Sequence, residues 1–271
     1  MKPKSASEEE RRQRPRGGIF DKRKPRHAVY LLPNAFTTAA LFAGFFAILQ
    51  AIGGDWQQAA VAVVAASLLD ACDGRIARWT GTQSSFGAEY DSLSDVISFG
   101  VAPALIAYQW SLAGLGKLGL GAAFCYCAAT ALRLARFNIN SGDDRRFFIG
   151  IPSPAAAVLM VAYIATMDAW GFAGDSPFVA GITAIFYTIA ALTMVGGVRY
   201  YSFKDFNIRR RRVPFRYAAF FFVAAAGLYA LADTLMELLL VLLSAYLLSG
   251  YVYAAWKLCT RRREKDPPHG E

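Results

Sequence analysis

Four aspartates, Asp70, Asp73, Asp91 and Asp95, lie close together in an otherwise apolar part of the chain. On helices, Asp70 and Asp73 would share one face, and Asp91 and Asp95 would share a face of the next helix. Four such carboxylates cannot all be ionised in a partly buried site without a countercharge, because like charges repel and burial adds to the cost. The spacing therefore predicts a divalent-cation site.

Carboxylate oxygens suit hard cations such as Mg²⁺ and Mn²⁺, and a pair of these ions can bridge a pyrophosphate during displacement at phosphorus. We therefore expect the aspartates to hold two such ions and the substrate to be phosphorylated. Arg78 would offer a planar fork to phosphate. Gly74 and Gly87 could bring backbone near a bulky ligand, or could equally serve close packing of helices.

The elements that position these residues are predicted to be membrane helices. Of the 271 residues, 55% are hydrophobic and 18% are charged, which is too apolar for an ordinary soluble domain. Apolar runs of about 20 residues, the length that crosses a bilayer core, predict an all-α polytopic protein with about eight spans. The predicted spans are 31–53, 56–80, 87–110, 116–138, 152–173, 177–198, 215–232 and 234–257.

The basic residues predict the orientation of these spans. If both termini and the charged ends of spans two to four face the cytosol, Lys117 is the only lysine or arginine on the other side. We therefore expect a multi-pass protein of the cell inner (plasma) membrane with a cytosolic active site. A transmembrane catalytic domain at 28–257 would lie between two basic cytosolic tails, 1–27 and 258–271, of which the first would be disordered. The net charge of +9 does not indicate nucleic-acid binding, because the basic residues are spread between apolar runs.

The aspartates belong to a longer motif, D-x2-D-G-x2-A-R-x8-G-x3-D-x3-D, which runs from Asp70 to Asp95. This motif resembles the signature of the CDP-alcohol phosphotransferase family at every fixed position. The resemblance implies a six-helix catalytic core, usually dimeric, in which a CDP-linked lipid donor meets an alcohol acceptor in a cytosol-facing cavity. It also implies that Asp70, Asp73 and Asp91 bind metal, and that Asp95 both contacts metal and acts as general base.

The same resemblance implies a CDP-donor site around the motif. Its residues would be Asn34, Thr37, Asp70, Gly74, Arg78, Ser84 and Gly87. For Asn34 and Thr37, which lie near the start of the first predicted span, helix capping is an equally open explanation.

Three further segments narrow the acceptor: Leu-Pro-Asn-Ala-Phe-Thr at 32–37, Arg-Leu-Ala-Arg-Phe-Asn at 133–138 and Gly-Ile-Pro-Ser-Pro at 150–154. Over about residues 30 to 200 the chain is similar to bacterial members of the family whose acceptor is L-serine. The resemblance implies transfer of the phosphatidyl group from CDP-diacylglycerol to serine. Arg133 and Arg136 could present one cationic face to the serine carboxylate, with a polar contact from Asn138, or could simply anchor a cytosolic helix end.

Two alternatives stay open at this stage. The same chemistry could use another acceptor, such as glycerol 3-phosphate, inositol phosphate or choline, although a phosphorylated acceptor should need more cationic residues in the cavity. A cation transporter could use the aspartates as its ion site, although they are predicted near the ends of their spans and not at the midplane. A phospholipase-D-like His-x-Lys site is excluded, because neither His27 nor His269 is followed by lysine two residues on.

Overall fold

The computed structural model describes residues 27–139, 147–196, 199–201 and 232–265, and nearly all of them are helical. The elements are α1 (His27–Ile52), α2 (Trp56–Thr80), α3 (Ser85–Asp95), α4 (Ala102–Trp110), α5 (Lys117–Ile139), β1 (Phe147–Ile149), α6 (Ser153–Ala169), α7 (Pro177–Val195), β2 (Arg199–Tyr201) and α8 (Ala232–Lys265). A π-helical segment, Val96–Val101, joins α3 to α4 in one continuous helix, and a 3-10 turn, Leu112–Leu115, precedes α5.

Most of the predicted spans correspond to these helices, while the run 215–232 lies outside the described residues except for Ala232, which begins α8. Within the described ranges, four helices are long and apolar enough to cross a membrane: Asn34–Ile52, Lys117–Ile139, Pro177–Val195 and Thr234–Tyr251. The prediction of an all-α polytopic membrane protein is thus confirmed, and the number of eight spans stays a prediction. The fifth run was expected to reach residue 173, but α6 ends at Ala169 because the chain turns at Gly171, where φ is +78°.

Large apolar side chains cover the outer faces of the helices. Phe42 of α1, Phe124 of α5 and Phe178 of α7 are all largely exposed, and 75% of the Phe178 surface is accessible. A soluble protein would bury such side chains, whereas lipid solvates them. The interior is instead rich in alanine, including Ala47 and Ala59, which lets the helices approach closely as membrane helices do.

The loops gather at two ends of the helix bundle. At one end, Arg133 of α5 donates a hydrogen bond to Ser153 at the start of α6, with an N–O distance of 2.6 Å. At the opposite end, the Ser111 hydroxyl after α4 donates to the carbonyl of Gly174 before α7, also at 2.6 Å. The four aspartates lie toward the first end, which we call the carboxylate end.

A two-stranded ribbon ties the chain after α5 to the chain after α7 at the carboxylate end. Strands β1 and β2 pair antiparallel, with Phe147 opposite Tyr201 and Ile149 opposite Arg199. Gly150 follows β1 with a φ of +82°, and a Cβ there would overlap the carbonyl oxygen of Met194. Glycine is therefore required where the ribbon meets the end of α7.

Helix α8 packs along α6 and runs antiparallel to it. Near the opposite end of the bundle, the indole N–H of Trp170 donates to Glu237 at 2.8 Å. Toward the carboxylate end, the hydroxyls of Tyr251 and Thr193 form a hydrogen bond. Helix α8 therefore ends on the side of the bundle where α1 begins.

Candidate active site

The turn between α2 and α3 brings the two pairs of aspartates face to face. Helix α2 ends at Gly81, which has a left-handed φ of +66° and donates its N–H to the carbonyl of Ala77. Helix α3 begins after Ser84, whose Oγ accepts a hydrogen bond from the Gly87 N–H at 3.0 Å. Ser84 therefore caps the helix that carries two of the aspartates. A hydroxyl can make more than one hydrogen bond, so the cap does not prevent Ser84 from binding the CDP-linked donor. That contact stays a prediction.

Three of the aspartates form a compact cluster. One carboxylate oxygen from each of Asp70, Asp91 and Asp95 lies within 4.8 Å of the other two, and all three side chains are partly buried. In the described part of the chain, no other group of acidic, histidine or cysteine side chains is spaced in this way. The predicted pairs do meet across the α2–α3 turn, and the cluster draws one member from α2 and two from α3.

Asp73 is held differently from the other three. It is buried, with 5% of its surface exposed, and its Oδ2 accepts a hydrogen bond from the Thr37 hydroxyl of α1 at 2.8 Å. Its carboxylate also lies beside that of Asp91. Helix α1 begins at His27, well before Asn34 and Thr37, so these two residues lie inside the helix and do not cap it.

The cluster fits a divalent cation. Asp91 Oδ1 is buried and has no hydrogen-bond partner among the described residues. A buried carboxylate oxygen without a partner is costly, and a bound cation would satisfy it. Carboxylate oxygens are the ligands that Mg²⁺ and Mn²⁺ prefer.

The two motif glycines have different surroundings. Gly74 is exposed, and a Cβ placed on it would meet no described atom within 4 Å, so close packing does not explain this glycine. At Gly87, a Cβ would lie 3.1 Å from Ser84 Oγ and 3.4 Å from Asn34 Oδ1. Gly87 therefore allows α1 and α3 to approach each other. Arg78 is exposed in the last turn of α2, where a cation also suits the helix dipole.

Arg133 lies beside the carboxylates. One of its guanidinium nitrogens donates to Ser153, as described above, and its Nε is buried without a hydrogen-bond partner in the described ranges. Asp95 is close enough to attract this guanidinium electrostatically. Arg133 therefore combines a fixed position near the cluster with an unpartnered donor.

Arg136 and Asn138 make structural contacts nearby. The guanidinium of Arg136 donates to the carbonyls of Val195, at 3.0 Å, and Met194, at 3.4 Å, and so caps the end of α7. The Asn138 amide donates to the Ser92 hydroxyl of α3 at 2.9 Å. The two arginines thus differ in their surroundings, and the predicted acceptor contacts of Arg136 and Asn138 stay predictions.

Two serines that the sequence reasoning missed hold α3 and the π-helical segment against α1. The Ser94 hydroxyl donates to the carbonyl of Thr37 at 3.3 Å, and the Ser98 hydroxyl donates to the carbonyl of Ala40 at 3.2 Å. Ser94 and Ser98 are four residues apart and so share a helix face, and this spacing could have indicated that they contact the same neighbouring helix. Ser153 was also missed as a partner of Arg133, although it lies in the quoted segment 150–154.

Comparison with known proteins identifies the family. A profile of the CDP-alcohol phosphatidyltransferase family matches residues 30–196, which is more than half of the chain. The chain belongs to this family. The matched region of this CDP-alcohol phosphatidyltransferase contains all four aspartates and Arg133, while α8 lies beyond it. The family depends in general on divalent metal, which agrees with the acidic cluster.

Curated relatives of this CDP-alcohol phosphatidyltransferase come from bacteria and archaea. A CDP-diacylglycerol–serine O-phosphatidyltransferase of Helicobacter pylori is 41% identical over 181 residues, which cover 66% of this chain and 76% of that protein. A Mycobacterium bovis protein of the same name is 38% identical over 147 residues, 52% of this chain and 51% of the relative. An archaetidylserine synthase of Methanothermobacter thermautotrophicus is 34% identical over 173 residues, 62% of this chain and 69% of the relative.

Proposed function

We propose that this enzyme transfers the phosphatidyl group of CDP-diacylglycerol to the hydroxyl of L-serine, giving phosphatidylserine and CMP. The observation that carries the proposal is the cluster of Asp70, Asp91 and Asp95 with Arg133 within electrostatic range of Asp95. The cluster supplies a cation site for the donor pyrophosphate, and Arg133 supplies a donor for the acceptor carboxylate. The printed names of the relatives in Helicobacter pylori and Mycobacterium bovis support serine as the acceptor.

The four aspartates are proposed to hold two Mg²⁺ or Mn²⁺ ions. Such ions would neutralise the donor pyrophosphate and stabilise CMP as the leaving group. Asp70, Asp91 and Asp95 would contribute oxygens from the cluster. Asp73, oriented by Thr37, can still bind because each carboxylate oxygen has two lone pairs.

Asp95 is proposed to accept the proton of the serine hydroxyl. The serine oxygen forms a bond to the phosphorus that bears diacylglycerol, the bond from that phosphorus to the CMP oxygen breaks, and the proton passes to Asp95. A carboxylate that also contacts metal is a weak base. Proton transfer therefore occurs late, when bonding to phosphorus has made the hydroxyl acidic.

The proposed donor site extends from the cluster along the exposed side of α2. Gly74 leaves open space beside the carboxylates, and Arg78 offers its guanidinium to phosphate one turn further on. Asn34, Ser84 and Gly87 lie on the α1 and α3 side of the same site and complete the proposed donor contacts.

The surroundings of the two arginines favour serine over a phosphorylated acceptor. A phosphate carries up to two charges and is usually held by several cationic groups, whereas a carboxylate can be held by one arginine. Near the described cluster, Arg133 has an unpartnered donor, while Arg136 is hydrogen-bonded to the end of α7. A cation transporter is disfavoured because the four carboxylates lie in the half of their helices that is nearer the α2–α3 turn.

The proposed arrangement in the membrane has eight spans, with both basic tails and the carboxylate end in the cytosol at the inner membrane. The described helices support it, because α1 begins and α8 ends at the carboxylate end. We also propose a homodimer, as the family resemblance implies. Light scattering of the detergent-purified protein would measure its mass, and a monomeric mass would contradict the dimer.

The deciding experiment is product analysis by mass spectrometry. Purified enzyme would receive CDP-diacylglycerol, Mg²⁺ or Mn²⁺, and a mixture of serine, glycerol 3-phosphate, inositol phosphate and choline. We expect phosphatidylserine and CMP in equal amounts, and a yield lower by about 10²–10⁴-fold with the Asp95→Asn variant. A lipid made only from another alcohol would overturn the serine assignment, and ion flux in proteoliposomes without release of CMP would overturn the enzyme assignment.

A further inference from the structure

The π-helical segment Val96–Val101 begins at the residue after Asp95. A π turn holds more residues than an α turn, and one residue of an α-helix corresponds to about 100° of rotation. The direction in which Asp95 points, relative to the rest of its helix, therefore depends on whether this segment is π or α.

The part of the helix before and within this segment is anchored to α1. Ser94 and Ser98 donate to carbonyls of α1, as described above. Gly44 of α1 packs directly against Ser98, because a Cβ on Gly44 would lie 2.5 Å from Ser98 Oγ and 2.7 Å from Ser98 Cα. These contacts fix α3, and with it Asp95, on the surface of α1.

The part toward α4 is anchored to different helices. Pro103 has no N–H, so the carbonyl of Phe99 lacks the donor that residue 103 would supply in an α-helix. The hydroxyl of Tyr126, on α5, donates to this carbonyl at 3.2 Å. The hydroxyl of Tyr187, on α7, donates to the Pro103 carbonyl at 3.0 Å. Both tyrosines are fully buried, and their ring centroids are 5.2 Å apart.

We propose that Pro103 and Tyr126 are positioning residues for Asp95. Pro103 removes the N–H that would let the segment close into an α-helix, and Tyr126 satisfies the carbonyl that is left. The segment stays π-helical, and this sets the rotation that turns Asp95 toward Asp70 and Arg133. The inference rests on the proposed function, which gives Asp95 its catalytic role.

Pro103→Ala is the first test. Alanine restores the N–H and favours the α-helix, so the segment is expected to contract and rotate Asp95 away from the cluster. We expect kcat for phosphatidyl transfer to fall by about tenfold or more, with an unchanged or higher Tm and a donor KM within about twofold of the parent. A Pro103→Ala enzyme with the parent kcat would overturn the proposal.

Tyr126→Phe is the second test, and Tyr163→Phe is its matched control. Both variants lose one buried hydroxyl, but the Tyr163 hydroxyl forms its hydrogen bond with Thr183, on α7, at 3.1 Å and not with the π-helical segment. We expect Tyr126→Phe to lower kcat while donor KM is kept, and Tyr163→Phe to keep the parent kcat. Equal losses of kcat in the two variants would show a general effect of the core and contradict the role of Tyr126.

Asp95→Asn separates this inference from the proposed function. If Asp95→Asn turns over normally, the proposed role of Asp95 is wrong. If Asp95→Asn is inactive while Pro103→Ala and Tyr126→Phe both keep the parent kcat, the role of Asp95 stands and the positioning inference is wrong.

Discussion

Asp95 lies between charges of opposite sign. Asp70 and Asp91 repel its negative charge, and Arg133 attracts it. A cation bound in the cluster would offset the repulsion, while Arg133 would also hold the carboxylate of the acceptor. An acceptor bound between Arg133 and the cluster would thus place its hydroxyl beside Asp95. Asp95, the proposed base, would then also link the two halves of the proposed site.

Asp95→Asn is expected to lower kcat by about 10²–10⁴-fold while CDP-diacylglycerol still binds, because the amide keeps the shape of the side chain and removes the base. Asp70→Ala should instead weaken metal and donor binding together. Turnover assays, with calorimetric titration of Mn²⁺ and of a water-soluble CDP-lipid, would measure both effects. Normal turnover by Asp95→Asn would contradict the assignment of the base.

Thr37→Val is expected to weaken Mn²⁺ binding by about tenfold, because it removes the hydroxyl that orients Asp73 and leaves the side-chain volume almost unchanged. Thr37→Ser keeps the hydroxyl and should restore most of the affinity. Electron paramagnetic resonance of free Mn²⁺ would give both affinities. Equal affinities in the parent and the valine variant would show that the hydrogen bond does not support the metal site.

Motif spacing predicted that the aspartates meet, because residues three or four apart share a helix face and a short turn opposes the two faces. It could not predict the contact between Thr37 and Asp73. These residues are 36 positions apart, and their contact depends on how α1 lies against α2. For the same reason, the spacing of Arg133 and Arg136 indicated a shared role. Only the structure shows that Arg136 is hydrogen-bonded to the end of α7.

At the scale of elements, the helix from Ser85 to Trp110 determines the shape of the site. Its bounds were predictable from a run of apolar residues, but its π-helical segment was not. Pro103 alone is compatible with a kink, a break or a π turn. The choice depends on Tyr126, which comes from another helix and supplies the missing donor.

Gly44→Ala is expected to destabilise the protein by about 1–3 kcal/mol, because the added Cβ would push the π-helical segment away from α1 at Ser98. It should also lower activity, since Ser98 lies three residues after Asp95. Gly121→Ala in α5 is the matched control, because a Cβ there meets no described atom within 4 Å and alanine favours the helix. Thermal unfolding in detergent would compare the stabilities of the two variants. Equal stability of the two variants would contradict the close contact at Gly44.

At the scale of the whole molecule, basic side chains and the proposed active site lie at the same end of the helix bundle. Arg78, Arg133 and Arg136 lie at the carboxylate end, whereas Lys117 begins α5 at the opposite end. If the basic residues face the cytosol, as in the proposed topology, the site lies where water-soluble serine and CMP can enter and leave. The diacylglycerol tails of the donor can remain in lipid. The sequence predicts this orientation from the distribution of its basic residues and not from packing, and the orientation stays a prediction.

Single cysteines would test the orientation. In a background without native cysteines, we expect Gln83→Cys, in the exposed α2–α3 turn, to react with a membrane-impermeant maleimide only in inverted vesicles. Asp175→Cys, exposed between α6 and α7, should react only in right-side-out vesicles. Labelling in detergent, where the maleimide can reach both faces of the protein, would control for the reactivity of each cysteine. Both cysteines reacting from the same face would contradict the proposed topology.

The open surroundings of Gly74 also make it a suitable position for a spectroscopic probe. Because a Cβ there meets no described atom, a nitroxide or small fluorophore attached through Gly74→Cys should fit without disturbing α2, and it would share the open space with the proposed donor. Its spectrum would respond to arrival of the nucleotide and departure of CMP instead of to rearrangement of the helices. The space that this glycine leaves open would then report when the nucleotide fills it and when it empties again.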